Sequence, residues 1–119
     1  MLYDLKLYGE NFDRIKSGLK TREYRLYDEK RRQIKVGDTI KFIKLPSGAE
    51  YLYAEVAMIE VFKSWYDCYE KYFFEDFKNR YDSIWAVVED TYNGGYYTKE
   101  DSDNYGCCCL TLTNIRKTK

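Results

Sequence analysis

With 119 residues, 45% of them hydrophobic and 18% aromatic, the chain is long enough to close one core and too apolar to be disordered. Twenty Lys and Arg balance twenty Asp and Glu, which excludes a protein that holds polyanions by bulk charge alone. The balance is uneven, with eleven basic residues against four acidic ones from Arg14 to Lys44 and nine against sixteen elsewhere.

A basic stretch of that kind can face a phosphate backbone while the rest of the molecule stays soluble, or it can be ordinary solvated exterior. Fourteen tyrosines suit half-buried strand surface, with a few left to stack on bases. Four cysteines, Cys68 and the run Cys107 to Cys109, occur with no histidine. No C-x-x-C pair is present, so the sequence predicts neither a metal nor a cofactor. The thiols read as small apolar filling on both faces of a strand. Met1 to Leu7 contains Asp4 and Lys6 and has no signal-peptide character, and no apolar run reaches the length of a membrane span. The expected compartment is therefore cytoplasmic, with reduced thiols and no membrane partner.

In chain order, Tyr3, Leu5 and Leu7 alternate with Asp4 and Lys6 and predict a first strand closed by Gly9. Phe12, Ile15 and Leu19 recur at helical spacing, with Asn11 as N-cap and Gly18 as the stop. A strand over Thr21 to Tyr27 follows, then a charged turn or helical turn from Asp28 to Gln33. Val36, Gly37 and Asp38 mark a turn before a strand from Thr39 to Leu45 with Ile40 and Phe42 on one face. Leu45 to Gly48 is a hairpin connection. Tyr51 to Phe62 is the longest predicted strand, with Leu52, Ala54, Val56 and Met58 inward.

At Ser64 the period changes, with Asp67 completing a capping pattern. Trp65, Tyr69, Tyr72 and Phe73 then share a helical face that reads as packing rather than a cofactor box. A second helix starts near Asp82 or Ser83 and carries Ile84, Val87 and Val88. Asn93 to Gly95 breaks the chain before Tyr96 and Tyr97, Thr98 caps one helical turn through Asn104, and Cys107 to Ile115 is the last strand. The whole, residues 1–119, is expected to form a single mixed α+β domain of about five or six strands with two or three short flanking helices.

The chemistry concentrates in Gly18 to Arg25, which holds Lys20, Arg22, Glu23 and Arg25. A fully extended segment would put Lys20, Arg22 and Tyr24 on one face and Thr21, Glu23 and Arg25 on the other. A bend at Gly18 would instead let Lys20 and Glu23 meet. Gly18, Lys20, Glu23 and Arg25 reproduce the pattern G-x-K-x-x-E-x-R, by which the chain resembles the ASCH domains of the PUA-like group of small β-barrels. The likeness continues through Leu26 to Arg32 and Ile34 to Asp38, and resumes at Tyr97 to Glu100 and Tyr105–Gly106. It is weakest from about Lys63 to Gly95.

The resemblance implies a PUA-like barrel that acts on RNA or a modified nucleoside, with the motif bordering a cleft and Tyr97 to Glu100 across it. Lys20 and Arg25 suit phosphate or base-edge contacts, and Glu23 can orient one of them or accept from an exocyclic amine. Tyr24, Tyr27 or Tyr97 can stack on an unpaired base. A purely structural alternative is that Glu23 pairs with Lys20 or Arg25 only to hold the helix in place.

Some small bacterial members hydrolyse the amide of N4-acetylcytidine, and another is a ribonuclease. In those amidohydrolases a threonine stands where this chain has Glu23. Glu23 departs from that pattern: unless Thr21 moves in as the hydroxyl, a carboxylate there would activate water as a general base, with Lys20 polarising the carbonyl and Glu70, Glu75 or Glu100 as candidates for the second carboxylate. A protein-interaction module is the third alternative, should the aromatic helix from Trp65 to Phe77 be exposed.

Overall fold

A computed structural model describes residues 1–95 and 97–119. Tyr96, predicted to follow the Asn-Gly-Gly break, lies outside the described residues. Five strands run in the order β1-β3-β4-β5-β2 in one sheet, the half-barrel of a small PUA-like α+β fold. They are β1 (Leu2–Tyr8), β2 (Arg22–Leu26), β3 (Thr39–Leu45), β4 (Tyr51–Phe62) and β5 (Cys107–Arg116). The helices are α1 (Gly9–Lys16), α2 (Glu29–Arg32), α3 (Trp65–Lys71), α4 (Ile84–Asn93) and α5 (Lys99–Tyr105), with a π-helical turn over Phe73–Phe77. Helical segments outnumber the two or three expected because Asp28 and Thr98 each cap a short one, both accepting from the backbone N–H three residues on at 3.1 Å.

The contacts divide the chain into two compact units. The first comprises Met1–Glu23, Ile34–Ile59 and Leu110–Lys119, and the second Tyr24–Gln33 and Glu60–Cys109. The backbone passes from one to the other at Glu23/Tyr24, Gln33/Ile34, Ile59/Glu60 and Cys109/Leu110.

In the first unit β1 runs parallel to β3, which the intervening stretch of chain permits, while β3 and β4 form an antiparallel hairpin. The registers Leu5↔Phe42 and Phe42↔Leu52 line up three fully buried side chains across the sheet, and Ile40↔Ala54 adds a second row. Phe12 and Ile15 of α1 are also fully buried. Each such side chain contributes about 1.5 to 3 kcal/mol. Two expectations fail here. Met58, expected to point inward, is 41% exposed. Asn11 lies inside α1, since β1 runs straight into the helix with Tyr8 at the N-cap position, where it makes no side-chain capping bond.

The second unit is built on aromatics and thiols. Trp65, Cys68, Tyr69, Phe77, Val87, Val88, Cys107 and Cys109 form its buried cluster together with Leu26. Trp65 stacks on Tyr69 at 5.6 Å, and its indole Nε1 donates to Ser102 Oγ at 2.8 Å, so the largest buried side chain has its polar atom satisfied. The expected stripe breaks at Tyr72, where α3 stops and the π turn re-aims the chain. Phe77 rather than Phe73 becomes the buried aromatic, and Phe74 is left exposed.

Candidate functional site

The site begins with the way α1 ends. Gly18, at φ +83°, donates its N–H to Ile15 O at 3.1 Å and Leu19 donates to Arg14 O at 2.9 Å, the two crossed bonds of a glycine helix stop. Leu19 is thereby thrown into solvent instead of completing the helical stripe. Lys20 N also donates to Arg14 O, at 3.1 Å, and Thr21 O then accepts from Leu112 N at 2.8 Å, which starts the pairing of β2 with β5.

This sharp turn brings Lys20 Nζ to 3.1 Å from Glu23 Oε1. The pair corresponds to the bent arrangement, not to the fully extended one that would have separated the two side chains. Glu23 is 3% exposed, a buried carboxylate in the first unit, whereas Lys20 is half-buried. A carboxylate taken that far from water needs a partner to stay ionised. The ammonium of Lys20 supplies one.

Arg25, farther along β2 in the second unit, is half-buried beside Cys108, whose thiol burial and then Cys107 push up to about 12. Tyr24 donates its hydroxyl to Asp76, and its ring lies 5.5 Å from Tyr69 and 5.2 Å from Phe77. Burial first, and then that bond to Asp76, hold its hydroxyl far above the ordinary tyrosine range. Tyr97 stacks on Trp65 at 5.1 Å with 22° between the rings. Both tyrosines are thus engaged in the packing of their own unit. Tyr27 is half-buried with the Arg32 guanidinium over its ring.

Glu100 is exposed in the first turn of α5, and Glu70 and Glu75 are exposed as well. All three belong to the second unit. The carboxylate that sequence reasoning passed over there is Glu60, half-buried at the end of β4, where Tyr72 donates to it and Lys71 pairs with it. Its position one residue out of step with the polar alternation of β4 was the only signal. The aromatic helix offers no broad exposed face, because Trp65, Tyr69 and Phe77 are buried. Among the described residues no group of three His, Cys, Asp or Glu is placed to hold a metal ion, and no helix is long and apolar enough to cross a membrane.

The family model of the ASCH domain matches residues 5–116. The chain belongs to the ASCH family. Two solved structures are similar to this ASCH protein over nearly their whole length. One is the crystal structure of hypothetical protein PH0355, 34% identical, covering 94% of this chain and 97% of that one with a TM-score of 0.77. The other is the solution structure of protein PF0455 from Pyrococcus furiosus, 33% identical, covering 94% and 96% with a TM-score of 0.71. A search of curated proteins finds no significant match.

Proposed function

We propose that this ASCH protein binds RNA or a modified nucleoside through the segment Lys20 to Arg25. The observation that carries the reading is the buried Glu23 held against Lys20. Replacing a buried ion pair by apolar side chains is often neutral or stabilising, so stability alone gives little reason to place one here. Paired charges at a partly open position are a recurring mark of a functional site. Glu23 fixes the Lys20 ammonium in one orientation, ready for a phosphate or a base edge, and Arg25 follows on the same strand with a forked donor set. The segment lies within the stretch from Arg14 to Lys44, which carries eleven basic residues against four acidic ones.

A second reading, amide hydrolysis of an acylated nucleoside, is favoured by the same pair, since a carboxylate beside an ammonium can serve as base and carbonyl polariser. It departs from the family's amidohydrolases at Glu23, and Glu70, Glu75 and Glu100 are the accessible second carboxylates.

The test is titration of a labelled single-stranded RNA from about 50 to about 200 mM salt. Lys20→Ala and Arg25→Ala should each weaken binding and each reduce the salt slope by about 0.7, one phosphate contact on a single strand. Wild-type protein that fails to bind at the lowest salt would remove the RNA reading.

A further inference from the structure

Arg32 is held differently from the ion-paired cations of the second unit. Lys71, Lys99 and Arg31 are matched by the carboxylates of Glu60, Asp103 and Asp28. Arg32 is instead fixed by neutral groups: its Nε donates to Tyr27 O at 2.8 Å and its Nη2 to Tyr105 O at 3.2 Å. Its Cζ lies 4.5 Å from the centroid of the Tyr27 ring. The side chain is nonetheless exposed. Two carbonyls and a ring therefore set the plane of the guanidinium without cancelling its charge.

The surroundings continue the pattern. Tyr105, whose carbonyl anchors Arg32, has a side chain 38% exposed, and Lys30 on α2 is exposed with no ion pair among the described residues. A planar cation held over one tyrosine and anchored on the backbone of another matches what an unpaired base requires, since bases stack on guanidinium planes and aromatic rings alike. Tyr27 also follows Arg25 by two residues, roughly 7 Å along an extended chain.

We propose that Arg32, flanked by Tyr27 and Tyr105, is a stacking subsite for an unpaired base of single-stranded RNA, with Lys30 on an adjoining phosphate. This rests on the RNA reading above and extends it beyond the motif. Arg80 provides the contrast: it is exposed too, but one carbonyl, Asp76 O at 3.0 Å, holds it, and its ring neighbours lie at 5.6 and 5.9 Å.

The experiment uses a single-stranded RNA carrying 2-aminopurine, whose fluorescence falls on stacking, with wild-type protein and the variants Arg32→Lys, Tyr105→Leu and Arg80→Ala. Arg32→Lys keeps the charge and loses the plane, so it should weaken binding about tenfold and lose most of the quenching while leaving the salt slope unchanged. Tyr105→Leu, which leaves the anchoring carbonyl in place, should weaken both to a smaller extent and decides the matter if Arg32→Lys fails to fold. Arg80→Ala should retain wild-type quenching. Wild-type behaviour in both Arg32→Lys and Tyr105→Leu would overturn the subsite and leave the RNA reading standing, as would an equal loss of quenching in Arg80→Ala. No RNA binding by wild-type protein overturns both.

Discussion

Lys20 and Glu23 form an ion pair within one short segment, with Nζ 3.1 Å from Oε1, although only two residues separate them and a strand begins between them. The contact depends on the helix stop just before it, and it leaves the carboxylate buried. Breaking such a pair from one side takes a counter-charge away from the buried carboxylate, so Lys20→Met should lower stability, whereas Lys20→Met with Glu23→Leu should recover most of that loss. Urea midpoints for the two proteins decide it. Equal midpoints for Lys20→Met and wild type would mean that Glu23 does not depend on Lys20.

Two glycines at positive φ should respond differently to alanine. At Gly18 a Cβ meets no atom within 4 Å, so Gly18→Ala carries only the cost of the left-handed conformation, about 1 to 2 kcal/mol. At Gly106 the same atom would lie 2.6 Å from Phe62 O, a backbone oxygen that cannot swing aside. Gly106→Ala should therefore be the more destabilising by thermal melting, with a well-folded, wild-type-like Gly106→Ala counting against the close approach.

Local signals in the sequence carried much of this fold. The β4 boundaries, the Ser64, Ser83 and Thr98 caps and the Gly18 stop all follow from side-chain chemistry acting over three or four residues, and each appears where that chemistry puts it. Met58 and Leu19 did not follow, and for Leu19 the reason is that its exposure is set by where the helix unwinds. The π turn after Tyr72 shows the same limit, since an aromatic stripe at helical spacing cannot reveal that the helix changes its winding within it. At the site, the motif identified Lys20 and Glu23, and the bend at Gly18 was one of two geometries open to it. The role of Arg32 was not legible, because both carbonyls that fix it come from backbone and one is 73 residues away.

Alkaline pH should weaken the second unit. Cys108 is pushed up to about 12 from an ordinary value of 9.0, chiefly by burial, and Cys68 is raised as well, first by its hydrogen bond with Cys107 and then by burial. A thiol kept neutral in the folded state ionises only on unfolding, so the unfolded protein binds fewer protons above about pH 9 and stability falls as pH rises toward about 12. Each thiol held neutral costs about 2 kcal/mol by about pH 10.5. Urea midpoints should drop between pH 8 and about 10.5, and Cys108→Ala should flatten part of that drop. A midpoint that does not move over this range would contradict the burial of these thiols.

Glu23→Gln separates binding from catalysis. The amide keeps the shape of the carboxylate and much of its hydrogen bonding while removing its charge and its ability to take a proton. If the segment binds RNA, the variant should lose affinity only modestly, because the Lys20 ammonium remains and only its orienting charge is gone. If instead Glu23 activates water against an acylated nucleoside, Glu23→Gln should bind the ligand nearly as well as wild type and turn it over at least about a hundredfold more slowly, since general-base catalysis contributes about 10² to 10⁴. Incubating wild-type protein with N4-acetylcytidine and following release of cytidine supplies the reference rate. Turnover by wild type and none by Glu23→Gln, with no affinity for RNA in either, would establish the hydrolase and sink the binding reading; absence of product at high protein concentration, beside salt-sensitive RNA binding, would do the reverse.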